Sequence, residues 1–251
     1  MNAYLVGPDL GDAIATLCVI RYLGPGHIRL FETPGTKGFS EARYNAIVPL
    51  IKIQPYTASV ARFDPAEDMK ITHDFTGFRN NWGSAPSLVG KQARHVGLDP
   101  ASIDMRPWLE VGDVERHGKI VLCRSARNKG HLHWWRIWQA KGKDCVVLGL
   151  REDYEQFCVD NAPWAPGMPP SKHRPMLPFL PTDDLLQAAR VIKGARLGVF
   201  NQTSLLWLAY GTGFSPMIIE QTTDDSFLPG LGRRFVRQPR ENLTAKEVAA
   251  L

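Results

Sequence analysis

The sequence predicts an α/β protein built from two similar halves that face each other across a cleft. Near the N-terminus, an apolar stretch at 3–6 is followed by a Gly-rich turn, by apolar residues at helical spacing from Ile14 to Leu23, and by a second apolar stretch at 27–31. The same order begins again at Lys119. Repeated strand–helix–strand units predict parallel sheets, and 251 residues suffice for two small domains.

The second half contains further apolar stretches and amphipathic segments in alternation. Because the two series meet near residues 111–118, we expect an N-terminal domain at 1–112 and a C-terminal domain at 113–251, with a terminal helix at 245–251 that packs back on the body. We expect a helix at 183–192 to be capped by Thr182 or Asp183. The predicted strands are 119–123, 144–148, 197–200 and 216–220, and the other predicted helices are 134–139 and 204–210.

Composition excludes several classes of protein. The chain is 44% hydrophobic and has seven Trp, so it is not disordered. No apolar run approaches the ~20 residues that a bilayer span requires. The first twenty residues contain Asp9 and Asp12 and lack the basic segment that begins a signal peptide, so we do not expect a signal peptide here. The four cysteines form no CxxC pair, which disfavours disulfides and indicates a reducing cytoplasm.

Common catalytic motifs are absent from the sequence. It has no GxGxxG after a first strand, no GxxxxGK[ST], no HExxH and no GxSxG. This argues against dinucleotide oxidoreductases, P-loop NTPases, zincins and serine hydrolases. The pairs His131/His133 and His73/Asp74 have no evident third ligand, so we expect no metal site.

Basic charge is concentrated in the second half. Residues 1–112 carry 11 Lys/Arg and 11 Asp/Glu, whereas 113–251 carry 19 and 14. The stretch 116–143 holds eight basic residues and no acid. Such a run indicates an anionic partner, a phosphate group or nucleic acid, or else a solvated basic helix face.

The first of three candidate loops lies at 7–12, after the first predicted strand. Ligands bind at the carboxyl ends of strands in open α/β sheets. Gly11 would let the backbone approach a ligand, and Asp12 would act as a general base. The alternative is that Asp12 only caps the following helix.

The second loop, 124–129, contains three cations and a hydroxyl. Arg124, Ser125, Arg127 and Lys129 suit a diphosphate, since Arg pairs two phosphate oxygens and Lys adds a point charge. The alternative is an ordinary surface loop.

The third loop is formed by Asn201, Gln202, Thr203 and Ser204 at the start of a predicted helix. Backbone amides and the positive end of the helix dipole bind phosphate at such a position. Simple capping by Thr203 or Ser204 is the alternative, and it does not exclude phosphate binding.

The order of these motifs resembles that of a GT-B glycosyltransferase, and is most similar to the family 9, heptosyltransferase-like enzymes and their short phage or bacterial relatives. Gly11-Asp12 matches the segment whose Asp deprotonates the acceptor in that family. The resemblance implies two Rossmann-like domains, with Arg124, Arg127 and Lys129 on the donor pyrophosphate. It also implies donor binding near Gly149, and it includes Glu220 at the end of the last matching strand.

The predicted reaction is transfer of a sugar from a nucleotide-sugar donor, inverting and metal-independent, with no cofactor beyond that co-substrate. The polar and aromatic segment 72–82 would bind the acceptor, with His73 or Asp74 assisting as base; a turn with packed aromatics is the alternative.

The sequence is compatible with two kinds of acceptor. The resemblance to short phage proteins suggests a hydroxymethylated pyrimidine in DNA, flipped out of the duplex. A cluster of Arg233, Arg234, Arg237 and Arg240 around Phe235 would contact the DNA phosphates. The first half has no net charge, which is also compatible with a saccharide acceptor of lipopolysaccharide type. If the protein is not an enzyme, the alternative is a non-catalytic nucleic-acid-binding module.

Overall fold

Two parallel sheets make up the protein, as the sequence predicts. The computed structural model describes residues 1–7, 9–31, 40–66, 70–80, 87–125, 132, 134–160, 177–221 and 234–237. The helix predicted at 245–251 lies outside these residues.

The first sheet has four parallel strands in the order β3-β2-β1-β4. Tyr4 of the central first strand pairs with Ile28 on one side and with His73 on the other. The strands are β1 (Asn2–Val6), β2 (Gly26–Leu30), β3 (Thr57–Arg62) and β4 (His73–Asp74), and the helices of this half are α1 (Leu10–Leu23), α2 (Glu41–Lys52) and α3 (Leu88–His95).

The second sheet has six parallel strands in the order β10-β9-β8-β5-β6-β7. Its strands are β5 (Ile120–Cys123), β6 (Cys145–Leu148), β7 (Phe179–Leu180), β8 (Leu197–Phe200), β9 (Met217–Gln221) and β10 (Arg234–Arg237). Its helices are α4 (Trp134–Lys141), α5 (Arg151–Asp160), α6 (Leu185–Gly194) and α7 (Ser204–Gly211). The division at residues 112 and 113 stays a prediction.

Helices α1 and α7 join the two halves. Both are apolar around most of their circumference, which is typical of a helix that is buried on all sides. All residues from Asp12 to Ile20 are buried in α1, and all from Leu206 to Gly211 in α7. The two helices pack against each other, so one apolar core cluster includes residues of both halves.

The connection between the halves is tied to both helices. Trp108 donates from Nε1 to the carbonyl of Ile14 in α1 at 3.1 Å. The carbonyl of Gly211 in α7 accepts from the backbone amides of Trp108 and Leu109. A Cβ atom on Gly211 would lie 2.4 Å from Cδ1 of Leu109, so this close crossing requires glycine.

Three predictions from the sequence can be compared with the structure: a helix cap, an arginine cluster and the absence of a membrane span. The helix predicted at 183–192 begins at Leu185, and its cap is Asp184, which accepts from the amide of Gln187; the prediction of Thr182 or Asp183 was wrong by one or two positions. Arg234 and Arg237 belong to β10, while Arg233 and Arg240 lie outside the described residues. In the part of the chain that the structure describes, no helix is long and apolar enough to span a membrane.

Candidate active site

The carboxyl ends of β1 and β8 lead into helices whose first turns meet. A Cβ atom placed on Gly11, in the first turn of α1, would lie 3.3 Å from Cδ1 of Trp207 and 3.8 Å from Cα of Ser204 in α7. The absence of a side chain at Gly11 therefore allows the two helix starts to approach closely. The first and third predicted loops are brought together.

Asp12 is the third residue of α1, and its side chain is 11% exposed. Arg79, from the short 3₁₀ helix Phe78–Asn80, donates to Asp12 Oδ2 from Nε at 2.9 Å and from Nη2 at 2.6 Å. The cap of α1 is Asp9, which makes no capping hydrogen bond with its side chain. The carboxylate of Asp12 is thus engaged by Arg79 rather than by the helix amides.

Burial raises the pKa of Asp12 to about 6. The positive charge and hydrogen bonds of Arg79 act in the opposite direction, and the negative charge of Asp9 adds a smaller increase. A carboxylate with a pKa near 6 is suited to general base catalysis near neutral pH.

Arg79 connects Asp12 to a wider charge network. Its Nη2 also donates to Asp9 Oδ2 at 3.3 Å, and Nη1 of Arg43 in α2 lies 3.9 Å from Asp9 Oδ1. Arg79 belongs to the polar and aromatic segment 72–82, which the sequence predicts to bind the acceptor. Its contact with Asp12 was missed, because a pairing across 67 positions leaves no local pattern.

The backbone of Asp12 is fixed from two directions. Gln92 of α3 donates from Nε2 to the carbonyl of Asp12 at 2.9 Å, and Thr16 donates from Oγ1 to the same oxygen at 2.8 Å. Both donors are buried. The first turn of α1 is therefore held in place on the side that faces α3.

Neither His73 nor Asp74 contacts Asp12 in the structure. The ring of His73 stacks on Tyr4 with 5.6 Å between centroids, and Tyr4 donates to the carbonyl of Gly24, beyond the opposite end of α1. Burial lowers the pKa of His73. Asp74 Oδ1 accepts from the amide and the hydroxyl of Thr76, both at 2.7 Å, and so forms a turn. A catalytic role for either residue stays a prediction.

The second and third loops are joined by a pair of amide hydrogen bonds. Oδ1 of Asn201 accepts from the amide of Ser125 at 3.0 Å, and Nδ2 of Asn201 donates to the carbonyl of Ser125 at 2.9 Å. The amide of Asn201 also donates to the carbonyl of Cys123. Asn201 is completely buried, so it serves to join the ends of β5 and β8.

The first turn of α7 is surrounded by the predicted donor-binding residues. Thr203 is its cap but makes no side-chain capping hydrogen bond, and Gln202 and Ser204 flank it. Gly149 follows β6, and a Cβ atom there would lie 4.0 Å from Cδ1 of Leu205. Residues from the ends of β1, β5, β6 and β8 therefore gather around this helix start. Donor binding by Gln202, Thr203, Ser204 and Gly149 stays a prediction.

Two predicted donor ligands are directed into the protein. Arg124, with 8% of its side chain exposed, donates from Nη1 to Asp160 Oδ2 at 2.6 Å. Glu220 is completely buried; its Oε1 accepts from the amide of Leu132 at 2.6 Å and its Oε2 from Nε1 of Trp134 at 3.2 Å. Glu220 thus fixes the beginning of α4.

The remaining predicted residues of the second loop, Arg127 and Lys129, lie outside the described residues. The same holds for His131 and His133. Among the residues that the structure describes, no three His, Cys, Asp or Glu side chains gather as a metal site would require. Metal independence of the reaction stays a prediction.

Comparison with solved structures identifies the class of fold. The architecture is that of the GT-B heptosyltransferases, and the predicted GT-B-like fold of two Rossmann-like sheets is confirmed. A scan against protein-family models gives no match, and neither does a search of curated proteins.

The similar structures include those of two E. coli proteins. Heptosyltransferase WaaC with ADP is similar over 100% of this chain and 98% of its own length, with a TM-score of 0.64 and 14% identity. Its complex with ADP-2-deoxy-2-fluoro heptose gives a TM-score of 0.60 at 14% identity. TibC, described as a bacterial iron-containing dodecameric glycosyltransferase from enterotoxigenic E. coli, has a TM-score of 0.55 at 12% identity, and the match covers 92% of this chain and 61% of TibC.

Proposed function

We propose that this protein is a glycosyltransferase that moves a sugar from a nucleotide-sugar donor to an acceptor hydroxyl. One observation carries the proposal: Asp12, a buried carboxylate with a pKa of about 6, lies in the helix turn that meets the first turn of α7. We infer that Asp12 is the base and that the start of α7 binds the anionic leaving group across this junction between the halves.

In this proposal, Asp12 removes the proton of the acceptor hydroxyl as its oxygen attacks the anomeric carbon. The bond from that carbon to the diphosphate breaks on the opposite side, so the anomeric configuration is inverted. The start of α7, together with Arg127 and Lys129 of the second loop, stabilises the charge that develops on the diphosphate. These cations would make a metal unnecessary. No cofactor beyond the donor co-substrate is proposed.

An ADP-sugar is the donor that we propose. Its support is that the similar WaaC structures contain ADP and an ADP-heptose analogue. The proposed location is the region around Gly149, Gln202 and Ser204, where the ends of three second-sheet strands meet α7.

A saccharide, of lipopolysaccharide type, is the acceptor that we propose. The residues around Asp12 favour a substrate without high charge, because Arg79 pairs with Asp9 and Asp12 and Arg43 with Asp9. A DNA acceptor is not carried forward, because the similar structures are heptosyltransferases with ADP or an ADP-heptose analogue.

The proposal is tested by nucleotide binding and by turnover. We expect ADP to raise the melting temperature more than UDP, GDP or CDP, by a few degrees at ~100 times its Kd. Turnover is measured as ADP release from ADP-heptose with a core-type saccharide. Asp12→Ala should lower it by about 10²–10⁴-fold and leave ADP binding unchanged.

A matched control is Asp144→Ala, which removes an exposed acid that pairs with Arg196 and lies just before β6. It should leave both readouts unchanged. Full turnover in Asp12→Ala would refute the base assignment. If no nucleotide binds but DNA binds with steep salt dependence, the protein is a nucleic-acid-binding module instead.

A further inference from the structure

The contact between Arg79 and Asp12 is asymmetric. Both donating nitrogens of Arg79 bind Oδ2, at 2.9 and 2.6 Å, instead of one nitrogen binding each carboxylate oxygen. Among the residues that the structure describes, Oδ1 of Asp12 accepts no hydrogen bond. The two oxygens of one carboxylate are therefore in different environments.

Arg79 is itself held in position. The segment before it is anchored by Phe75 and Phe78, which are 1% and 4% exposed. Its guanidinium lies 5.6 Å from the centre of the Phe78 ring and also contacts Asp9. With these supports a side chain that is 47% exposed can hold a fixed geometry, so the contact with Oδ2 has a structural basis beyond simple charge attraction.

We propose that Arg79 is a positioning residue, which binds Oδ2 of Asp12, fixes the rotation of the carboxylate, and leaves Oδ1 as the atom that receives the acceptor proton. This inference rests on the proposed function. A single oriented oxygen provides the alignment that efficient proton transfer requires.

The proposed transfer breaks two bonds and forms two. The acceptor O–H bond breaks and its proton binds Oδ1, while the acceptor oxygen forms the new bond to the anomeric carbon. The electron pair of the bond between that carbon and the donor diphosphate leaves with the diphosphate. The Arg79 guanidinium takes no part in the transfer and only holds Oδ2 of Asp12.

The charges around Asp12 determine how its titration depends on Arg79. Asp9 adds negative charge from the turn before α1, and Arg43 of α2 partly offsets it by contact with Asp9. On the other sides, α3 presents the neutral Gln92 and α7 presents Ser204 and Trp207. Arg79 is therefore the cation in contact with the carboxylate.

The decisive measurement is a ¹³C NMR titration of the Asp12 carboxyl in protein labelled at aspartate Cγ, with Asp12→Asn used to assign the signal. We expect Arg79→Met to raise the pKa of Asp12 by about one unit or more, because an adjacent opposite charge typically lowers a carboxyl pKa by about 1–3 units. Arg79→Lys should reverse part of that rise. Arg196→Met is the control, because Arg196 is also 47% exposed and also pairs with an aspartate, and it should leave the titration unchanged.

Activity supplies the second readout. The acidic limb of the pH profile of kcat/KM should move to higher pH in Arg79→Met by the same amount as the carboxyl titration. An Asp12 titration that is identical in wild type, Arg79→Met and Arg79→Lys would overturn the inference. The titration requires no substrate, so it separates the two proposals. If Arg79→Met shifts the Asp12 titration but the wild-type protein turns over no nucleotide sugar, the proposed function is overturned and the role of the Arg79 contact stands.

Discussion

Asp12, just beyond β1, and Glu220, near the end of β9, are the two acidic residues buried in the described part of the chain, and they are held differently. Arg79 binds one oxygen of Asp12, whereas protein N–H groups occupy both oxygens of Glu220. A carboxylate with an open oxygen is able to take up a proton from a ligand. A carboxylate whose two oxygens both accept hydrogen bonds inside the protein, like that of Glu220, orders the segments that donate to it. The contrast therefore assigns a chemical role to Asp12 and a structural role to Glu220.

The largest effect on stability is expected at Glu220. Glu220→Ala would leave the amide of Leu132 and Nε1 of Trp134 buried without their acceptor, and we expect a loss of about 4 kcal/mol from two such donors. Urea unfolding measures the change. Glu155→Ala, an exposed position on α5, is the control and should change stability by less than about 0.5 kcal/mol. Equal stability in the two variants would show that Glu220 does not stabilise the fold.

Asp12 should make stability depend on pH in a defined direction. Its pKa is about 6 in the folded protein, against 3.8 for the ordinary group, so the folded state binds more protons than the unfolded state between these values. Stability contributed by Asp12 is therefore highest below pH 4 and falls until about pH 6, by about 3 kcal/mol in total. Unfolding of wild type and Asp12→Asn across pH 4–7 measures the difference, and parallel curves would contradict it.

A smaller loss is expected where the second and third loops are joined. Asn201→Ala removes both hydrogen bonds to Ser125, and we expect a cost of about 2 kcal/mol together with weaker ADP binding. Asn45→Ala, at an exposed position on α2, is the control. Unfolding and calorimetric titration with ADP measure the two effects. Unchanged ADP affinity in Asn201→Ala would show that the hydrogen bonds between Asn201 and Ser125 do not support the donor site.

The smallest expected effect is that of metal removal. Dialysis against EDTA should leave turnover unchanged, because the proposed site neutralises the diphosphate with cations and a helix start. TibC, a neighbour of similar fold, is described as iron-containing, so the measurement also separates this protein from that case. Loss of turnover on dialysis, restored by a divalent metal, would contradict metal independence.

Strands and helices with a strong apolar pattern could be predicted from the sequence. The prediction of 197–200 matches β8, and those of β5, β6 and β9 differ by one residue at their starts or ends. Strands β3, β4, β7 and β10 and helices α2 and α3 were not predicted. β4 has only two residues, too few to show alternation, and α2 contains Pro49, which disrupts the helical pattern.

Site residues could be predicted only where a strand end marked them. Gly11 and Asp12 lie in the first turn of the helix that follows β1, and Asn201 to Ser204 follow β8, so the topology alone selects them. The direction of a side chain is different, because it depends on partners far along the chain. Arg124 meets Asp160, 36 positions away, and Glu220 meets Leu132, 88 positions away, so neither pairing could be read from the sequence.

The shared packing of α1, α7 and residues 107–111 has a consequence for protein engineering. Each helix covers apolar surface of the other half, and Trp108 is bonded to both. Expressed alone, either half would present that surface to water and aggregate. Chimeras that exchange acceptor and donor specificity should therefore take both helices and the connecting segment from one parent, and place the crossovers outside them.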